Sequence, residues 1–288
     1  LCRDGDRVLL VRASAATHLP GVWRVPGGGL VHGEHPAYAV VRTLAEQTGL
    51  AVAVTGLRAV VSDVVRLPDA EVHTDRVLYD VAVTGGRPHA APTGTADRVA
   101  WSTPGEPPGM PLMPFTAELL GLPVEPLPEP VTPAGPPEPP APSDRGQRFA
   151  AYGLVTDPAG RVLLTLVAEG YPGAGRWHLP GGGTDHGEQP VTGLLRELAE
   201  EAGQVGRVVA LLHVAHRHDP AAMGPEGRPM DWHAVRAVYR VEVDRPTRPR
   251  VTEAAGGSTA GARWFAPEEV SRLPLTDAAA ETIGLITA

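Results

Sequence analysis

The sequence predicts an α/β protein made of two tandem copies of one domain, and three observations carry that expectation. Residues 1–122 are echoed by residues 155–285: Arg7-Val8-Leu9-Leu10 matches Arg161-Val162-Leu163-Leu164 at a separation of 154. The same separation carries Trp23 onto Trp177, Pro26 onto Pro180, Gly27-Gly28-Gly29 onto Gly181-Gly182-Gly183, and His32-Gly33-Glu34 onto His186-Gly187-Glu188. Short apolar runs of strand character alternate with amphipathic helical segments. Finally, Pro123 to Pro142 holds ten prolines in twenty residues, a semi-rigid spacer of about 3 Å per residue. The chain is accordingly divided into a first domain over 1–122, a linker over 123–146 and a second domain over 147–288.

In chain order, the second copy opens with strands over Phe149–Thr156 and Arg161–Ala168, joined by the turn Asp157-Pro158-Ala159-Gly160. Trp177 to Pro180 leads into a glycine-rich loop; Trp177 reads as a core or rim residue, with stacking on a substrate as the sharper alternative. Pro190 fits the first turn of a helix and Gly203 the left-handed residue that ends it. Strands then follow over Gly206–Ala215, Trp232–Val243 and Ala262–Phe265, with a closing helix from Asp277. Past the helix the repeat separation grows to 163, where Trp101, Pro111 and Leu112 answer Trp264, Pro274 and Leu275. The extra residues are expected near His216 to Trp232, as a substrate loop. Residue 1 is Leu, and nothing stands opposite Gln147 to Leu154, so the chain is expected to begin several residues into its first domain.

The net charge of −8, with no basic run to offset it, speaks against non-specific nucleic-acid binding and against acidic membranes. Cys2 is the sole cysteine, which excludes an intrachain disulfide and a cysteine-based metal site. With no signal peptide and no apolar run long enough to span a bilayer, the expected location is the cytoplasm.

The chemistry concentrates in Gly182 to Gln204. Val191, Leu194, Leu195, Leu198 and Ala202 recur at i, i+3, i+4, i+7 and i+11 and form one buried stripe. Glu197, Glu200 and Glu201 fall within an arc of about 100° elsewhere on the same helix. Three carboxylates so close repel one another, and a hard divalent cation that takes oxygen ligands relieves the repulsion. Arg196 can pair with Glu188 and tie the loop to the helix. Gly181, Gly182 and Gly183 let backbone groups approach a metal or phosphate. The bland reading of an isolated E-x-x-E-E is a solvated face.

The full spacing from Gly182 through Glu188, Arg196, Glu197, Leu198, Glu200, Glu201 and Gly203 resembles the Nudix box, G-x5-E-x7-R-E-U-x-E-E-x-G-U, with Gln204 in place of the last aliphatic U. The resemblance implies two α/β/α sandwich domains with mixed sheets. It also implies hydrolysis of a diphosphate linked to another group, most often in a nucleoside diphosphate derivative. Mg²⁺ or Mn²⁺ would then sit on Glu197, Glu200 and Glu201. Glu197 or Glu201 would help deprotonate the attacking water, with Arg196 and Glu188 as orienters. Glu253 lies where some members carry a separate general base.

The first copy has the same framework, Gly28, Glu34, Arg42, Leu44, Glu46 and Gly49, but Thr43 replaces Glu197 and Gln47 replaces Glu201. Neither is a charged ligand, so this copy reads as a retained fold with lost metal chemistry. Two roles stay open for it, simple stabilisation and ligand sensing. His213, His216, His218 and Asp219 read as ordinary polar residues in contact with solvent, as substrate contacts or as a zinc cluster. His216, His218 and Trp232 are taken as candidate substrate contacts, with packing as the alternative for Trp232. The partner is a small diphosphate or nucleotide, and the linker allows either pairing of two chains or packing of the two copies. The rival class is a regulator in which both copies hold a nucleotide and turnover is incidental; no basic recognition helix supports a transcription factor.

Overall fold

The computed structural model describes residues 1–90, 94–103, 111–133, 144–223, 228–252 and 257–287. It divides into two compact units, Leu1–Gly146 with His218–Trp232, and Gln147–Arg217 with His233–Ala288.

Unit 1 contains β1 (Arg3–Asp4), β2 (Arg7–Ala13), β3 (Trp23–Arg24), α1 (Pro36–Thr48), β4 (Leu50–Arg66), β5 (Glu71–Gly86), β6 (Ala96–Ser102) and α2 (Pro114–Leu120). Strand β2 pairs antiparallel with β1, β3 and β6. The long hairpin β4–β5 joins them through a parallel bridge between Cys2 and Val81. The continuous apolar run of β2 is explained by burial on both faces. Val8 and Leu10 pack with Trp23 and with Phe115 of α2. Leu9, between them, packs with Leu44 of α1 and with Leu50 and Tyr79. Period-two alternation thus places one helix on each side, giving the α/β/α layering.

Unit 2 contains most of β7 (Arg145–Thr156), then β8 (Val162–Val167), β9 (Trp177–His178), β10 (Gly181–Gly183), α3 (Pro190–Ala202), parts of β11 (Arg207–Met223) and β12 (Pro229–Glu242), β13 (Thr259–Phe265), α4 (Pro267–Val270) and α5 (Asp277–Thr287). Its sheet runs β11-β12-β7-β8-β13, with β9 on β8 and β10 on β7. The repeat extends to register. Leu9 faces Trp101 as Leu163 faces Trp264, and the parallel bridge Trp23 to Leu112 recurs as Trp177 to Leu275. One face of this sheet packs Leu154, Leu164, Leu179 and Phe265 with Ala279 of α5. Leu194 and Leu198 of α3 are fully buried. Trp177 stacks edge-on against Phe265, with ring centroids 4.7 Å apart, which is the packing role.

The extra residues expected as a loop near His216 to Trp232 lie mostly elsewhere. Among the described residues, those from His216 to Met223 continue β11 and those from Pro229 to Trp232 belong to β12, and β11 is as long as β4, 17 residues each. The added length lies mostly after the hairpin: nine residues separate Gly86 from Ala96, whereas sixteen separate Glu242 from Thr259. Repeat separation brackets an insertion only between its flanking anchors, and strand pairing decides where inside them it falls.

The start of this longer connection is fastened to α3 by the residue that departs from the box. Gln204 is 1% exposed, donates to the Thr247 hydroxyl at 2.9 Å and accepts the Thr247 N–H at 3.0 Å. Farther on, the N–H groups of Arg250 and Thr252 reach the carbonyls of Ala202 and Glu200, which α3 leaves unsatisfied at its end. In the first copy the matching residue is Leu50, buried among apolar side chains. We expect Gln204→Leu to cost about 1–3 kcal/mol, because it removes the amide's hydrogen bonds and leaves the part-buried Thr247 N–H without its acceptor. Urea denaturation of wild type and variant measures this, and an unchanged midpoint would show that the clamp contributes nothing.

Candidate active site

Helix α3 begins at Pro190 with no side-chain cap and ends at Gly203, whose φ of 64° and N–H to Ala199 close it in a left-handed turn. Across from it, β10 pairs with β7, setting Gly181 opposite Tyr152 and Gly182 opposite Ala151. Two glycines permit this approach. Gly181 has φ 132°, and a Cβ there would run into the Ala151 carbonyl oxygen; a Cβ on Gly182 would sit 2.8 Å from Glu197 Oε1.

The acidic groups are held in distinct ways. Glu201 is 4% exposed; its Oε2 accepts the Gly181 N–H at 2.9 Å, and its Oε1 accepts the Thr259 hydroxyl. Glu188 takes a two-pronged hydrogen bond from Arg196, 3.1 Å from Nε and 3.0 Å from Nη2, and also accepts the Asp185 N–H. Arg196 Nη1 reaches Glu197 at 3.1 Å and Glu200 at 3.3 Å, and its Nη2 reaches the Gly183 carbonyl at 3.3 Å. The guanidinium hydrogen bond holds the Glu188 carboxyl below its ordinary range, and the same bond raises the pKa of Arg196. Three glutamates, Glu188, Glu197 and Glu200, thus share one guanidinium, with Asp185 at 3.9 Å, while Glu201 is held separately.

Sequence reading grouped Glu188, Arg196, Glu197, Glu200, Glu201 and Gly181 to Gly183, and the structure brings all of them together. Glu253 lies outside the described residues. His216 belongs to unit 2 and meets His233, with ring centroids 5.1 Å apart, while His218 and Trp232 belong to unit 1. His213 contacts Thr282, His218 pairs with Asp231, and Asp219 accepts the Ala221 N–H.

Residues not singled out from sequence also reach the site. Thr259 holds Glu201, and Arg148 lies against Gly183, where a Cβ would meet its Nη2 at 2.6 Å. Burial raises the pKa of the Tyr152 phenol, with the charges of Arg236 and Arg148 opposing the rise and those of Glu201 and Glu197 adding to it. Burial and then Arg236 pull the His178 imidazole down to about 4, so it is neutral at pH 7; its Nδ1 lies 2.6 Å from the Thr276 hydroxyl. These residues sit on separate strands outside the box, and only an arginine or threonine recurring on the loop side of a strand would have flagged them.

Residues 1–119 and 146–285 match the NUDIX domain family. The chain belongs to that family, which at family level comprises hydrolases of nucleoside diphosphate-type compounds. Among solved structures, it is similar to a MutT Nudix hydrolase from Burkholderia pseudomallei, at 29% identity over 49% of this chain and 98% of that one, TM-score 0.38. It is also similar to the Nudix hydrolase RenU from M. smegmatis, at 24% identity over 49% of this chain and 85% of that one, TM-score 0.33. A third is the NUDIX domain of Shewanella oneidensis NrtR complexed with ADP ribose, at 19% identity over 49% and 86%, TM-score 0.36. No curated protein matches the chain.

The Arg196–Glu188 pair makes a pH-dependent contribution of known sign. Because the folded pKa of Glu188 lies below its ordinary 4.5, the stabilisation is complete above that value and is lost as pH falls through the lowered one. Glu188→Gln is expected to cost about 1–2 kcal/mol at neutral pH. Thermal unfolding between pH 7 and 3 tests it: the gap between wild type and variant narrows below pH 4.5, and a gap that stays constant would refute the assignment.

Proposed function

We propose that the second copy hydrolyses a diphosphate bond in a nucleoside diphosphate derivative or related organic diphosphate, in a reaction that needs Mg²⁺ or Mn²⁺. The observation that carries this is the excess of carboxylate over guanidinium around Arg196, facing a glycine strand that leaves no Cβ in front of Glu197. The donors are all oxygens, which fits a hard divalent cation and not a soft one. Glu197, Glu200 and Glu201 would hold it. When bound, such an ion screens the diphosphate and makes a water acidic.

The chain's own groups then divide the work. Glu188 fixes Arg196, and Arg196 in turn orients Glu197 and Glu200. Glu201 is anchored through both oxygens, so it suits a holding role. That assigns to Glu197 the proton of the attacking water. Arg148 and Arg236 are suited to the phosphate oxygens of the substrate. His216 is carried forward as a substrate contact, and Glu253 as a second candidate base. The first copy is proposed to have lost this chemistry, since Gln47 and Thr43 stand where charged ligands would be needed.

Glu201→Gln is the decisive variant, because the first copy shows that glutamine fits the place. Gln47 accepts the Gly27 N–H at 3.0 Å, as Glu201 accepts that of Gly181 at 2.9 Å. Phosphate or pyrophosphate release is measured over a panel of nucleotides and diphosphates with Mg²⁺. Wild type should turn over and Glu201→Gln should lose roughly 10²–10⁴-fold in rate with its fold intact. Tight nucleotide binding without turnover by wild type would instead favour a nucleotide sensor.

A further inference from the structure

We propose that unit 1 carries a second metal site, formed by His32, His218 and Asp231, for a borderline transition-metal dication of the Zn²⁺ type. Sequence spacing could not group these residues, since His32 lies on the turn before α1 and the other two lie on opposite strands of the β11–β12 hairpin. Asp231 Oδ1 lies 2.7 Å from His218 Nε2 and 3.2 Å from His32 Nε2. One ligand atom from each residue falls within 4.8 Å of the others. Tetrahedral bonds of about 2.0–2.1 Å hold ligand atoms about 3.3 Å apart, so closing this set on an ion needs side-chain shifts and no backbone rearrangement.

The donor chemistry separates this site from the box. Two imidazoles and one carboxylate suit zinc, nickel or iron, whereas the box offers carboxylate oxygens alone. Surrounding groups orient the ligands as they do in built metal sites. Arg145 Nε lies 3.6 Å from Asp231 Oδ2, drawing that oxygen aside and leaving Oδ1 toward the histidines. The Asp231 N–H donates to the Asp144 carbonyl at 2.8 Å, fixing the backbone. Gly33, at φ 79°, admits the His218 ring, for a Cβ there would lie 2.7 Å from His218 Nδ1; this turns Nε2 toward Asp231. The three side chains are 13%, 35% and 24% exposed for His32, His218 and Asp231, sheltered yet open enough for a water to complete the coordination. Without an ion, His218 Nε2 hydrogen-bonds Asp231 Oδ1, and His32 Nε2 lies against the same oxygen. With one, the turn before α1 is cross-linked to both strands of the β11–β12 hairpin, and binding adds to stability.

The test uses the full chain, stripped with chelator and then saturated with Mg²⁺ so that the box carboxylates are occupied. Zn²⁺ is titrated by calorimetry, and Co²⁺ by its visible absorption, which is intense only at low coordination number. Wild type is expected to take up one equivalent, gain several degrees in Tm, and show the Co²⁺ band. His32→Gln and Asp231→Asn are each expected to weaken uptake at least tenfold and to abolish the Tm gain, while Glu201→Gln keeps the equivalent. Asp231→Asn is isosteric, and either variant decides the matter if the other fails to fold. The proposal is overturned if wild type binds no zinc beyond Mg²⁺, if both variants bind as wild type does, or if Glu201→Gln alone removes the equivalent.

Discussion

The hydrogen bond from the Gly181 N–H to Glu201 joins the two halves of the candidate site, and much of the second copy's local structure follows from it. To make that bond, the carboxylate must lie on the last turn of α3 and stay 4% exposed, which is costly for a charge unless every lone pair is engaged. Thr259 on β13 supplies the second donor. The bond also requires β10 to run close beneath the helix, and only residues without a Cβ allow the register that pairs Gly181 with Tyr152. Helix, glycine strand and β13 are therefore fixed relative to one another by one side chain.

The first copy shows which part of this arrangement is architecture and which is charge. Gln47 takes the place of Glu201, accepts from Gly27 and reaches Thr95, one residue before the position that answers Thr259, at 3.3 Å. It also donates to the Gly27 carbonyl at 2.9 Å, a bond a carboxylate cannot make. Arg42 keeps its pair with Glu34, at 2.7 Å, and thereby the turn into the helix. The hydrogen bonds that position helix and loop thus survive the loss of acid. A neutral amide satisfies the loop from both sides, whereas a buried carboxylate leaves negative charge for a ligand to answer.

The fold was legible because strand and helix periods, the repeat and the linker all pointed to one arrangement. The apolar face of β2 and β8, the caps at Pro190 and Gly203, and the box itself could be read one residue at a time. The acidic cluster was legible because its members lie within one helical turn. What sequence hid depends on strand pairing: where the extra residues go, and which side chains meet across separate elements. His218 was visible as a histidine, but its neighbours Asp231 and His32 were not, since nothing local to residue 218 indicates them. Gln204 likewise looked like a lapse from an aliphatic position, and only the chain at Thr247 explains a polar residue there.

The two copies also differ beneath the glycine strand, at a position outside the box. Where the second has His178, neutral at pH 7 because burial pulls it to about 4, the first has Arg24. The Arg24 side chain donates to the Gly27 carbonyl at 2.6 Å, and burial with the nearby charge of Arg76 brings its pKa down only to about 10, so it stays cationic. A buried cation beside the glycine strand works against a divalent ion through the same low-dielectric coupling that would make carboxylates attract one. The two copies therefore differ by more than two acids, because the first carries a buried cation where the second has a neutral imidazole. At the second site the corresponding residue is a neutral imidazole, and the cations near the glycine strand come from other elements, Arg196 on α3 and Arg148 on β7. The charge at residues 24 and 178, as well as the acids of the helix, distinguishes two copies whose hydrogen-bond frameworks are nearly the same.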